Sequence, residues 1–195
     1  VWAFATAEVA APRLFAAIAE AAPARLDEFT TQGLATTAWA VAAAGTTCAE
    51  ASSSSSSETA TTRLFAAIAA VVQSRRLDDF APRDLAMTAW AFACVDWKQP
   101  QVFAALLDVS DDKRNETTAL DRSQLHLAAL HCRLSWPDTI YEPLARDGHF
   151  FQEAHEVQGD PEPSQFQRDV AASLDRLGWT HVFEHVTSEG LSLDM

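Results

Sequence analysis

The chain has 195 residues, 48% of them hydrophobic, and a formal net charge of -13. That length supports one or two domains with a real core. The charge excludes a broad basic surface that would gather phosphates without regard to sequence, and no apolar run reaches the roughly 18 to 20 residues that cross a bilayer.

The chain opens inside a repeat. VWAFATAE around Trp2 matches TAWAVAAAG around Trp39 and TAWAFACVD around Trp90, and RLFAAIA occurs both at Arg13–Ala19 and at Arg63–Ala69. Each copy of RLFAAIA leads into a similar series, ARLDEF and GLATTAW in one, RRLDDF and DLAMTAW in the other. Self-similarity at a fixed period marks an array of stacked supersecondary units. Because VWAFATAE lacks the helix that should precede it, the sequence reads as a piece of a longer protein with room for a targeting peptide upstream.

The first complete unit reads as two helices. LFAAIAEAAPARL places Leu14, Ile18 and Ala22 on one stripe with Phe15 beside them. LATTAWAVAAA places Leu34, Ala38, Val41 and Ala42 on one side, with Gly45 where a C-terminal cap belongs. Between the helices Thr31 is a candidate N-cap, as Asp79 is in the next copy, where Pro82 stops helix continuation. Trp39 reads as a packing knob of the core.

Trp2 to Trp39 is 37 residues and Trp39 to Trp90 is 51. The difference is a serine-rich insert, Thr46–Glu58, whose removal leaves 38. It reads as a solvated loop between units. The second unit runs from LFAAIAAVVQSRRL to LAMTAWAF. A weaker third unit follows, with Phe103 lying 38 residues after Phe65, and LHLAALHC from Leu125 putting Leu130 in place of tryptophan.

The expected architecture is therefore mostly α: an α-helical repeat solenoid of helix pairs at a period of about 38 residues, spanning 1–155 with the insert at 46–58. An acidic, proline- and glycine-containing linker at 156–163 separates it from a tail of different character. SQFQRDVAASLDRLGW puts Phe166, Val170, Leu174 and Leu177 on one helical face, with Ser164 to cap the helix and Gly178 to end it. WTHVFEHV then alternates as a strand does, SEG turns the chain, and LSLDM begins a second strand.

The tail carries a resemblance. The run Gln167, Val170, Leu174, Gly178, Glu184, Glu189-Gly190 and Asp194 resembles the entry to a RAP domain, a module of organellar RNA-binding proteins that is similar to restriction-endonuclease-like folds. The repeats with GLATTAWA and LAMTAWAFA are similar to the octotricopeptide or FAST-kinase-like helical repeats that precede RAP domains. The resemblance covers essentially the whole chain and implies an incomplete RAP-like module at 164–195, in which Asp194 looks like the first acid of that fold's metal-binding set. The later acidic strand of the pattern is missing from this sequence, so no catalysis is expected of it.

What the resemblance implies is single-stranded RNA binding in organellar gene expression, in the mitochondrion or chloroplast: transcript stability, processing or translation. Helical-repeat RNA binders read each base with two or three side chains per repeat. The candidate readers here are Thr36 and Thr37 in one copy and Met87 and Thr88 in the next, and Arg75, Arg76 and Arg83 are the candidate phosphate contacts. A protein–protein interaction scaffold is the alternative, favoured by the acidic balance.

Nothing points to an enzyme. There is no glycine-rich phosphate loop and no GxSxG. Cys48, Cys94 and Cys132 form no CxxC pair, which argues against a disulfide framework or zinc site and for a reducing compartment. His181 and His185 share a strand face about 13 Å apart, too far to hold one ion. No cofactor or metal is expected, nor is a membrane partner.

Overall fold

The computed structural model describes residues 2–7, 11–48 and 55–136, and in the tail only 168, 172–174, 176, 185–186 and 192–193. The chain is mostly helical. In order the helices are α1 (Trp2–Thr6), α2 (Pro12–Ala21), α3 (Thr31–Cys48), α4 (Ser55–Ser74), α5 (Pro82–Cys94), α6 (Pro100–Asp112) and α7 (Ala119–Ser135). Short 3-10 segments at Ala22–Glu28, Leu77–Asp79 and Arg114–Glu116 precede α3, α5 and α7.

The helix ends follow from local chemistry. Pro12, Pro82 and Pro100 each open a helix, where a missing N–H costs nothing. Thr118 caps α7 by a reciprocal box with Asp121: the Asp121 N–H donates to the Thr118 hydroxyl and the Thr118 N–H to the Asp121 carboxylate. For α3 the cap is Thr30, whose hydroxyl accepts from the Gly33 N–H at 3.0 Å, one residue before the expected Thr31. Asp79 closes a 3-10 turn and caps nothing, because α5 starts from Ala81 without a side-chain cap. Pro23 has no N–H to donate and ends α2 two residues earlier. The second copy lacks that proline, and α4 continues to Ser74.

Two expectations at the insert are corrected. Gly45 lies inside α3, which continues through Thr46 and Thr47 to Cys48, and Ser55–Glu58 belong to α4. Extending a formed helix adds one hydrogen bond per residue fixed, so serines and threonines at a helix end are readily absorbed. Only residues 49–54 of the supposed loop lie outside the described residues.

The helices form two rows. α1 packs on α3, α3 on α5 and α5 on α7; α2 packs on α4 and α4 on α6. Small residues make the first row close: Ala35, Ala38, Ala40 and Ala42 of α3, and Ala86, Ala89 and Ala91 of α5, are all buried. Between the rows run Phe15, Leu26, Leu34, Phe65, Phe80, Leu85, Phe92, Phe103, Leu106 and Leu125. Phe65 and Phe103 both meet Phe92 edge-on, at ring-centroid distances of 5.4 and 6.3 Å. The apolar stripe of α2 is rotated from the expected one. Phe15 and Ala19 are buried while Leu14 is 37% exposed, although its counterpart Leu64 in α4 is 0% exposed.

Successive pairs are joined by a basic side chain. Arg75, just past the end of α4, donates to the carbonyl oxygens of Phe29 (2.7 Å), Asp27 (3.0 Å) and Leu26 (3.3 Å) in the preceding unit. Lys113, just past α6, does the same to Asp78 and Phe80 of its own predecessor. Arg75 and Lys113 are 38 residues apart, one period. These donors bind carbonyls at the helix-to-turn transitions, and charge-assisted bonds of this kind are the stronger sort.

In the tail, residues 168, 172–174 and 176 are helical, and His185–Val186 pairs antiparallel with Ser192–Leu193. Leu174 of the RAP-like run is part of that helix and partly buried. The linker at 156–163 and Gln167, Val170, Gly178, Glu184, Glu189, Gly190 and Asp194 lie outside the described residues.

Candidate nucleic-acid interface

The second helices of the three pairs share a register in which every fourth or third residue lies on one side, and all of these but the buried Met87 and Leu130 reach the surface. In α3 that stripe is Gln32, Thr36, Trp39 and Ala43; in α5 it is Arg83, Met87, Trp90 and Cys94; in α7 it is Ser123, Leu127, Leu130 and Leu134. Spacing of i, i+4, i+7 and i+11 keeps each set on one side of its helix. Trp39 and Trp90 are partly exposed and lie ring against ring, with centroids 6.0 Å apart and planes tilted by 32°. They are neither wholly core nor free platforms: each packs one side on the core and shows the rest. Leu130, at the same register, is buried.

The expected base readers divide. Thr36 is partly exposed, and its hydroxyl donates back to the Gln32 carbonyl at 2.7 Å. Thr37 and Thr88 are buried, at 7% and 0% exposure, and Met87 is buried as well. The Thr88 hydroxyl donates to the Asp84 carbonyl at 2.6 Å. Thr37, Met87 and Thr88 are therefore withdrawn as surface readers. Thr37 and Thr88 come one residue after the stripe, about 100° around the helix, which turns them into the packed row.

The expected phosphate contacts divide too. Arg76 and Arg83 are exposed. Arg76 lies 3.8 Å from Asp78, both side chains well into solvent, and such a pair holds an arginine only weakly. Arg75 is the inter-unit clasp and is not available to a ligand. What sequence reasoning missed is that clasp. The signal was present, since Arg75 and Lys113 recur at the repeat period on a position where charge has no place in an apolar stripe.

Asp84 is buried in the first turn of α5, where it accepts from the Thr31 hydroxyl of α3 at 3.3 Å. Burial raises its pKa above the ordinary carboxylate value, opposed by the Thr31 hydrogen bond and by Arg83. It ties α3 to α5 and is not presented to a ligand.

A second group of polar side chains lies at the other end of α5. Asp96, in the left-handed region at φ 53°, pairs with Lys98, and His131 Nε2 sits 3.9 Å from the Asp96 carboxylate. Phe103 and Trp136 flank the imidazole. Burial pushes the His131 pKa below its usual value, against the pull of Asp96. Burial likewise pushes the thiols up, Cys94 to about 11 and Cys132 to about 12, so neither is a thiolate nucleophile near neutral pH. Among the described residues no group of three His, Cys, Asp or Glu could hold a metal ion, and no helix is long and apolar enough to cross a membrane.

No family model, curated protein or solved structure matches the chain.

Proposed function

We propose that the chain binds single-stranded RNA along the row formed by α3, α5 and α7, as part of an organellar gene-expression factor acting in transcript stability, processing or translation. The observation that carries this reading is the part-exposed Trp39–Trp90 pair, set in a register that repeats over the row, reaches the surface at Gln32, Thr36 and Arg83, is buried at Met87 and Leu130, and varies in side chain from unit to unit. Part-exposed indoles offer faces on which unstacked bases rest, and Gln32 and Thr36 beside them offer hydrogen bonds to base edges. Arg76 and Arg83 supply phosphate contacts. The solenoid continuing through 1–155, the RAP-like module at 164–195 and the mitochondrial or chloroplast address rest on the resemblance of the repeats and tail to RAP-domain proteins. On this reading the chain is a binding protein without cofactor or catalysis.

Two arginines make few phosphate contacts. At roughly 0.7 per contact for single strands, log affinity should fall against log salt with a slope of about -1.5. The test is fluorescence anisotropy with single-stranded RNA pools and organellar transcripts. Micromolar binding that prefers some sequences, weakened by Trp90→Ala and evenly lowered by R76E with R83E, supports the reading. No binding at low salt overturns it and leaves the protein scaffold. One observation favours that second reading: Leu120, Leu127 and Leu134 give α7 an exposed apolar face on a strongly acidic chain.

A further inference from the structure

We infer that the groove between α1 and α2 seats one more helix of the α2 kind, the partner of α1, so that the row of first helices α2, α4 and α6 continues one place further. The three can be compared position by position, because RLFAAIA at Arg13–Ala19 recurs at Arg63–Ala69 and Phe103 lies 38 residues after Phe65. All three bury that phenylalanine, Phe15, Phe65 or Phe103. They part at the neighbouring stripe. Leu64, Ile68 and Val71 of α4 are buried, as are Val102 and Leu106 of α6. In α2 the same positions hold Leu14, which is 37% exposed, Ile18, which is partly buried, and Ala21, which is exposed. Spacing of i, i+4 and i+7 keeps each trio on one side of its helix. What distinguishes α4 and α6 is a first helix packed before them, α2 before α4 and α4 before α6.

A position on the other row opens on the same place. Aligned on Trp2, Trp39 and Trp90, Phe4 of α1 corresponds to Val41 of α3 and Phe92 of α5. Val41 and Phe92 are 5% and 0% exposed, and Phe4 is 45% exposed. In the later pairs a first helix lies against this position. α2 packs on both α3 and α4, and Phe65 of α4 meets Phe92 edge-on. One helix in the place of α2 thus serves the second helix of its own pair and the first helix of the next. The repeat itself therefore specifies the occupant, since the equivalent place is filled by a helix of this kind in each later pair. The seat is lined by Phe4, Leu14, Ile18 and Ala21, all apolar. It suits the alanine-rich apolar side of such a helix and would leave a charged partner unpaired. A second copy of the whole chain is the poorer occupant, because each copy carries -13.

The test is an extended chain. A copy of residues 11–37 placed ahead of Val1 continues the repeat in register, because Trp2 then follows the added Thr37 at the distance at which Trp39 follows the original. Stacked units are stabilised by each neighbour they contact, so the extended chain should melt at least about 5 °C above the parent. Leu14→Gln in the original α2 should lower the Tm of the parent by no more than about 3 °C and should remove most of the gain in the extended chain, the coupling expected of residues in contact. An L14C thiol, followed by peptide mass, should react freely with maleimide in the parent and at least about tenfold more slowly in the extended chain. An extended chain that melts no higher, or does not fold, overturns the inference, as does an equal effect of Leu14→Gln in both chains. An L14C thiol already shielded in dilute parent also overturns it, since another part of the same chain would then cover the seat. Shielding that grows with the concentration of the parent would give the seat to a second copy instead.

Discussion

Thr36 and Thr37 are chemically identical neighbours with opposite prospects. Thr36 stands in the surface stripe, whereas Thr37 and its counterpart Thr88 are packed into the row. Thr88→Val should cost about 1 kcal/mol in urea unfolding, through loss of the 2.6 Å bond to the Asp84 carbonyl, and should leave RNA sequence preference untouched. Thr36→Ala should do the reverse, shifting preference among short RNAs with stability changed by no more than about 0.5 kcal/mol. The two outcomes exchanged would mean that the stripe has been assigned to the wrong register. Thr-Thr, Met-Thr and Leu-Ala all look variable in sequence, and only long-range packing tells that Thr36 and Leu127 reach the surface while Thr37, Ala128 and both Met87 and Thr88 do not.

At the scale of elements, the helix pairs were legible and their joints were not. The 38-residue period and the apolar stripes carried the pairs; Pro82, read as a helix stop, opens α5, and the Thr118–Asp121 capping box went unread. The limits of α3 and α4 were misread because a serine run says loop by composition, while helix continuation depends on the stretch before and after it. Leu14 looked like core because it stands at i, i+4 and i+8 with Ile18 and Ala22, yet it is exposed where its counterpart Leu64 is buried; what differs is the helix that lies alongside. Arg75 looked like a phosphate contact because its carbonyl acceptors lie 46 to 49 residues away. Arg75→Ala should therefore lower stability by about 2–3 kcal/mol, since three carbonyls lose a charged donor, and Arg75→Lys should recover much of it, as Lys113 performs the same task one unit later. Chemical denaturation of the three proteins measures this. Equal stability of Arg75→Ala and the parent would show the clasp to be incidental.

Over the whole molecule, acidification should act through His131, which faces Asp96 and Lys98 from the α5–α6 connection. Its pKa in the folded chain lies below the ordinary 6.5 because burial disfavours the charged ring. The unfolded chain therefore binds the proton more readily, and the stability tied to neutral His131 is complete above about pH 6.5 and declines as pH falls through the folded value. Thermal melts from neutral pH down to about pH 5 should show that decline, and His131→Phe should flatten it; an unchanged slope would assign the effect elsewhere. The joints between pairs add a directional property. Each clasp belongs to the later pair and holds the turn of the earlier one, so the interfaces are one-way latches. A force applied from the C-terminal side opens Lys113 first and Arg75 next, releasing one pair at a time. A pull from the N-terminal side meets turns still held by intact neighbours. Drawn through a narrow pore, this chain should resist entry from one end more than from the other.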